Sequence, residues 1–399
     1  MDSSTLMSLK RSTEKDYQLT VKGLIRSGVL SPETKSLYIY NKEILVDRLD
    51  HLSAVFPKDS LHAVAIKSNS NHEVLKEIVN QGHGLEAASY EEVLLAHKAG
   101  CPNEKIVFDS PVKTIEEIHN CNQQFPSMIL NANCFQELER LKGKNNVRIG
   151  IRINPLIKLD NPGIYDVSGN NSKFGIPISQ KEKIIQYALH MPNCEGLHIH
   201  AGSEIGSEEN HIRAIGSIVD IAEEIRLKGK KLAFIDIGGG VPARMESGSQ
   251  KGLEYFYDKL RQSFPAINNY KMVTEYGRFV QAHTAFVISK VEYLLDHCEP
   301  NIALIHVGAD LFPREIYSTH PPHHDVFVLD QEGNLKDEQE ADYDIGGPLC
   351  FSGDFIKRNI SLPKIESGDL ICIADTGANT LSMWSRHCSR NEVEFFLYA

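Results

Sequence analysis

At 399 residues and 44.7 kDa, with 41 % hydrophobic and 24 % charged residues, the chain has the composition of a folded protein with room for two or three domains. Its formal net charge of −11 opposes bulk binding to nucleic-acid phosphates or anionic membranes, while leaving room for a local pocket that takes a small anion. No apolar run reaches the roughly 18 residues of a membrane helix, and Met1–Lys10 lacks the apolar core of a secretion signal. A cytoplasmic protein with reduced thiols is expected. The eight cysteines show neither CxxC pairing nor zinc-ribbon spacing.

In chain order, Leu37–Tyr40 predicts a strand ahead of a long repeating region. Short apolar strands then alternate with segments of helical periodicity: Ala63–Lys67, Leu85–Ala88, Ile106–Phe108, Met128–Leu130, Val147–Ile153, Gly196–His200, Ala233–Ile237 and Met272–Glu275. Eight continuous apolar strands with helix-length connections fit a parallel sheet buried on both faces. Eight is also the number that closes a (β/α)8 TIM barrel, although an open doubly wound sheet satisfies the same periodicity. From residue 285 onward, Ala285–Leu295, Ile302–Val307, Asp325–Leu329, Asp369–Ala374 and Glu392–Leu397 read as strands without intervening helices, which predicts an antiparallel β domain. The expected division is a segment 1–44 packing with that β domain, a barrel over 45–284, and the β domain over 285–399.

A barrel gathers its chemistry in the loops after the strands' carboxyl ends. Lys67 ends the first predicted strand, where desolvation would lower its pKa and favour Schiff-base chemistry; a solvent-reaching surface lysine is the plainer reading. His198 and His200 alternate on the sixth strand, a spacing that also suits zinc, but no clear further ligand set follows. His320, His323 and His324 fall in a Pro-rich loop outside the barrel, and no metal is expected. Gly238, Gly239 and Gly240 end the seventh strand, where backbone amides can approach a phosphate closely. The eighth strand supplies Glu275 to meet a protonated ring nitrogen, and Arg278 to clamp the phosphate. A strand-end lysine, a glycine triplet and an arginine on one face suit a phosphorylated aldehyde, for which pyridoxal phosphate is the candidate.

These motifs, in this order, make the chain resemble the fold-type III pyridoxal-phosphate-dependent decarboxylases of ornithine, arginine and diaminopimelate. The resemblance spans Leu37 to Arg390. Ala65-Ile-Lys67-Ser-Asn69 is similar to the family's Ala-Val-Lys-Ala-Asn, whose lysine forms the Schiff base. His200-Ala-Gly-Ser203 resembles the segment whose histidine stacks on the cofactor and whose serine contacts phosphate. Gly238–Gly240 matches the phosphate loop, and Glu275-Tyr-Gly277-Arg278 the Glu-Pro-Gly-Arg motif. Arg152-Ile-Asn-Pro155 with Ser172-Lys-Phe-Gly175 is similar to the diaminopimelate branch in particular.

The resemblance implies a homodimeric carboxy-lyase acting on a diaminopimelate-like or related amino acid. Gly347-Pro-Leu-Cys350-Phe351-Ser-Gly-Asp354 resembles the segment whose cysteine protonates the α-carbon from the partner subunit. It implies Lys67, His200 and Cys350 as catalytic residues, Asn379 at a position where the family has a cofactor-contacting tyrosine, and Arg314, Phe351 and Asp354 near the substrate. Phe351 stands where the family has an acid that contacts the distal amine. A non-catalytic regulatory homologue and an amino-acid racemase are the alternatives.

Overall fold

The computed structural model describes residues 9–157, 167–203, 205, 207–244, 252–319, 321–337 and 339–398. His320 lies outside these residues. The chain forms two compact units, Val46–Val280 on one hand and Lys10–Leu45 with Gln281–Ala399 on the other.

In the first unit eight parallel strands close on themselves: Leu61–Ala65, Gly84–Ala87, Ile106–Phe108, Ile129–Ala132, Arg148–Asn154, Cys194–His198, Phe234–Asp236 and Lys271–Thr274. The eighth strand pairs with the first, Val273 opposite Leu61 and Thr274 opposite His62, so the sheet is a barrel rather than an open one. Leu61, Ala63, Val107, Ile129, Phe234 and Val273 form one buried cluster contributed by five of these strands. Four of the intervening helices start on side-chain caps: Asn71, Ser89, Thr114 and Ser207 each accept an amide of the first turn. Such caps stop the helices at fixed points and leave short, defined loops at the strand ends.

Two strands end two residues short of their predicted ends. The first stops at Ala65, and Ile66–Ser68 forms a 3-10 turn in which Ser68 Oγ donates to the Ala65 carbonyl at 2.6 Å. The sixth stops at His198, leaving His200 in the loop beyond. At the first of these, local hydrogen bonding rather than hydrophobicity sets the boundary.

The second unit holds two sheets. The five-stranded one runs, in spatial order, Val326–Leu329, Leu370–Ile373, Ala285–Lys290, Ser36–Asn41 and Glu394–Tyr398. Ser36–Asn41 pairs antiparallel with Ala285–Lys290 and parallel with Glu394–Tyr398. Helix Glu14–Arg26, started by a Thr13–Asp16 capping box, packs Tyr17, Val21 and Leu24 with Leu37, Ile39, Phe286 and Ile288. The four-stranded sheet contains Tyr293–Leu295, Asn301–Leu304, Glu340–Gly346 and Phe355–Pro363. The predicted strand Ala285–Leu295 breaks in two because the chain changes sheets: Lys290 pairs with Leu370, whereas Glu292 N–H donates to the Leu304 carbonyl. The domain is mostly antiparallel, with Asn301–Leu304 and Glu340–Gly346 forming a second parallel pair.

One charged network in this unit holds the segment that ends at Asn379. Asp375 takes His283 Nδ1 at 2.6 Å and Arg11 Nη2 at 2.6 Å, and Arg11 also bonds Asp325 at 2.7 Å. Burial alone would raise the Asp375 pKa, but His283 and Arg11 outweigh it and hold the carboxyl well below its usual range. A lowered folded-state pKa stabilises the fold above the unfolded carboxylate range, near about 4, and that contribution is lost as pH falls through it. Asp375→Asn is expected to cost roughly 2 kcal/mol at neutral pH. Thermal melts from pH 7 to pH 3 should show the variant's acid-side decline flattened.

Candidate active site

Lys67 leaves the barrel on the 3-10 turn after the first strand and reaches Glu86, in the middle of the neighbouring strand, with a direct ion pair. Glu86 is fully buried, while Lys67 keeps 44 % of its side-chain surface open. The lysine differs from the sequence expectation. Desolvation would lower its pKa, but Glu86, Glu275 and Asp109 outweigh it and hold the ammonium above its usual value. In the protein alone, Lys67 is a cation awaiting deprotonation.

Behind this pair lies a buried ionic floor. His198 is fully buried, with Nδ1 3.0 Å from Asp236 and Nε2 3.4 Å from Asp109. Burial pulls its pKa down, but Glu275, Asp236 and Asp109 raise it well above normal, so it is an imidazolium. Asp109 also takes the Arg152 guanidinium at 2.6 Å, and that guanidinium lies 4.5 Å from the Phe174 ring centroid. Asp236 accepts from Asn131 at 3.1 Å and from the Gly238 amide at 3.0 Å. Asp109, His198 and Glu275 offer ligand atoms within 4.8 Å of one another, a spacing that admits a cation. Lys67, Arg152 and His198 already balance Glu86, Asp109 and Asp236, so a dication would add charge where none is missing.

His198, at the end of the sixth strand, and His200, in the loop after it, end up in opposite states. His200 Nδ1 accepts the Gly239 amide at 3.0 Å, which fixes the neutral ring with its proton on Nε2. Burial first, then Arg152 and Lys67, push its pKa well below normal. The ring is therefore a neutral face rather than an acid.

The glycine triplet folds over this ring. Gly238 and Gly240 have φ of 66° and 106°, conformations that side chains rarely take. A Cβ would meet the Ile199 carbonyl oxygen at 2.3 Å from Gly238, the Glu275 carbonyl oxygen at 2.8 Å from Gly239, and the Gly202 carbonyl oxygen at 2.6 Å from Gly240. The triplet is thus a bare-backbone cradle locked to the loops of the sixth and eighth strands. Ser203 and Arg278 are half-buried on those same two loops. Gly277 packs on the Lys67 turn, where an added Cβ would lie 3.1 Å from Ala65 Cβ and 3.0 Å from Ser68 Cβ.

Glu275 is the most telling residue of the barrel mouth. Its side chain is 1 % exposed, and neither carboxylate oxygen accepts a hydrogen bond from any described residue. Burial, then Asp236, raise its pKa well above the carboxylate range. A buried acid without a donor is costly unless a ligand supplies one. The protonated nitrogen of a pyridine ring is such a donor, and the cradle suits its phosphate. The residues present fit pyridoxal phosphate.

Of the remaining candidates, Arg314, Cys350, Phe351, Asp354 and Asn379 belong to the second unit. Cys350 is exposed on the turn after strand Glu340–Gly346. Asp354 is buried and accepts the Ala309 and Leu349 amides at 2.6 and 2.7 Å, so its carboxylate braces the Cys350 turn. Helix Pro313–Tyr317 links two candidate segments: Arg314 Nη1 donates to Asn379 Oδ1 at 3.1 Å, and the Tyr317 ring stacks on Phe351. Asn379 has a φ of 60°, which asparagine tolerates better than bulky residues. Glu86, Asp109, Asp236 and Tyr317 carry site geometry that sequence reasoning did not single out.

A closed barrel that gathers a lysine, a buried glutamate without a hydrogen-bond donor and a bare glycine turn at its mouth suits an enzyme of the pyridoxal-phosphate class. Residues 43–282 match the pyridoxal-binding domain of the pyridoxal-dependent decarboxylases, and the chain belongs to that family. It is 27 % identical over 384 residues to the diaminopimelate decarboxylase of Aquifex aeolicus, covering 94 % of this chain and 89 % of that protein. The diaminopimelate decarboxylase of Bacteroides thetaiotaomicron is 28 % identical over 366 residues, covering 86 % and 89 %. Among solved structures, a mutant diaminopimelate decarboxylase of Helicobacter pylori, complexed with L-lysine, superposes with a TM-score of 0.84 at 25 % identity, over 95 % of this chain and 94 % of that one. The arginine decarboxylase of Paramecium bursaria Chlorella virus shares the fold, with a TM-score of 0.82 at 21 % identity over 96 % and 100 % of the chains. The protein is a carboxy-lyase that uses pyridoxal phosphate to decarboxylate an amino acid. No described helix is long and apolar enough to cross a membrane.

Proposed function

We propose that the protein is a homodimeric decarboxylase of a diaminopimelate-like amino acid in which Lys67 holds the cofactor covalently and the partner's Cys350 is the proton donor. The observation that carries this reading is Glu275, buried without a hydrogen-bond donor in the barrel mouth that also presents Lys67 and the glycine cradle. Bound there, pyridoxal phosphate supplies a sink for the electron pair released with carbon dioxide. The protein's own groups do the rest. Lys67 must shed its proton before its Nζ can bond, and Glu86 is the adjacent carboxylate that can carry it.

Glu275 would hold the ring nitrogen in its protonated state, and the imidazolium of His198 keeps the acids around it balanced. His200 would offer its neutral face to the ring; with the Gly238 and Gly239 amides already bonded to Asp236 and His200, the bare glycine triplet would give the phosphate room, Ser203, Gly277 and Asn379 would orient it, and Arg278 would balance its charge. The Cys350 thiol then delivers a proton to the α-carbon.

Mixing two inactive variants tests the shared site. Lys67→Ala and Cys350→Ala dimers should each lack normal turnover. After dissociation and reassociation together they should regain roughly a quarter of wild-type carbon dioxide release, because half the dimers then hold one intact site. Full activity of the Cys350→Ala homodimer, or no recovery on mixing, would overturn the assignment of Cys350.

A further inference from the structure

Four acids on and beside the Cys350 turn face inward. Asp354 is taken by two backbone amides, and Asp310 is fully buried against Arg390 at 2.8 Å. Glu315, on helix Pro313–Tyr317, is 3 % exposed and lies 3.3 Å from Lys357 and 3.4 Å from His324. In the strand leading into the turn, Asp344 accepts from Arg358 at 3.1 Å and from the Asn359 amide at 2.7 Å.

The turn presents aromatic surface instead. Phe351, adjacent to the exposed Cys350, stacks on Tyr317 with ring centroids 5.8 Å apart and planes inclined by 28°, and Tyr317 is 60 % exposed. The same short helix carries the Arg314 guanidinium, which donates to the Asn379 amide oxygen at 3.1 Å.

We propose that the Tyr317–Phe351 pair determines specificity, selecting an amino acid whose distal end is an uncharged acyl, amide or aryl group over one that ends in an ammonium. This rests on the reading that Cys350 meets the substrate. An ammonium drawn against this surface sheds water and meets, among the described residues, two rings and a guanidinium on one helix. Ring faces give a cation only partial compensation, because each ring already spends one face on the other. A flat uncharged group loses less hydration than an ammonium and gains contact with both rings.

The test compares the holoenzyme's kcat/KM on both enantiomers of lysine and of Nε-acetyllysine, a pair that differs at the distal nitrogen. Binding is followed in parallel by the change in cofactor absorbance on mixing. Wild type should favour the acetylated compound at least about tenfold, equivalent to about 1.4 kcal/mol. Phe351→Glu should shift the ratio toward lysine by about as much, with the cofactor spectrum retained, and Tyr317→Ala should lower discrimination without reversing it. A preference for lysine in the wild type, or a ratio unmoved by Phe351→Glu, would overturn the proposal. Failure to retain cofactor, or to release carbon dioxide from any amino acid, would instead count against the decarboxylase reading. The ratio of binding constants, read by calorimetry where the cofactor is not retained, still judges the aromatic pair in that event.

Discussion

Lys67→Met is expected to abolish covalent retention of pyridoxal phosphate and to lower kcat by about 10³-fold or more. Methionine keeps the length of the side chain and removes the nitrogen, so the loss reports chemistry rather than a hole. Dialysed variant protein should be colourless. Borohydride treatment of the wild type should place the reduced cofactor on the Lys67 peptide by mass spectrometry, and label on any other lysine would refute the assignment. The substitution also strips Glu86 of its cation. Burial already raises the Glu86 pKa against the pull of Lys67, and without the lysine it rises further. A carboxyl whose folded-state pKa lies above its unfolded value weakens the fold as pH rises between the two. The cofactor-free variant should therefore lose more thermal stability than wild type between pH 5 and 8. Lys67→Met with Glu86→Gln should regain that stability and remain inactive. Recovery of one property without the other separates the fold's interest in the pair from the enzyme's.

The barrel was legible because each of its strands is a short apolar run, and because Lys67, the glycine triplet, Glu275 and Arg278 all follow such runs directly. A strand end is a sequence position, so residues placed there can be read one loop at a time. Glu86, Asp109 and Asp236 were not read that way. Their meaning depends on cross-barrel partners such as Lys67, Arg152 and His198, and no local pattern encodes a distance between strands. A signal did exist. Glu86 interrupts an otherwise apolar four-residue strand that is wholly buried, and a buried charge implies a partner. Strands Glu340–Gly346 and Phe355–Pro363 escaped for the opposite reason. They pair with each other through stretches that mix exposed, charged and buried residues, so no continuous hydrophobic run marks them. Tyr317 gave no sign in sequence, since only the turn after Gly346 brings Phe351 against its ring.

Glu275→Gln is expected to lower kcat by about 10²–10³-fold, as removal of a preorganised charge at a reacting group does, while making the cofactor-free protein more stable. The two effects have one cause. Burial and the nearby Asp236 hold the Glu275 pKa well above the carboxylate range, so the apoprotein is destabilised as pH rises from the unfolded value, about 4.3, toward the folded one. Glutamine occupies the same volume without an ionisable proton and removes that penalty. Thermal melts of the apoprotein from pH 5 to 8 should show wild type declining and the variant level. In the loaded enzyme the order reverses, because a protonated ring nitrogen gives Glu275 the donor that the protein withholds. Glutamine's amide supplies no negative charge, so the ring nitrogen should lose its proton and the electron sink should weaken with it. Cofactor affinity, read from absorbance during titration, should fall together with kcat. Wild-type activity in Glu275→Gln, or an apoprotein no more stable than wild type, would detach Glu275 from the ring nitrogen and leave its buried, donor-less carboxylate without a purpose in the barrel.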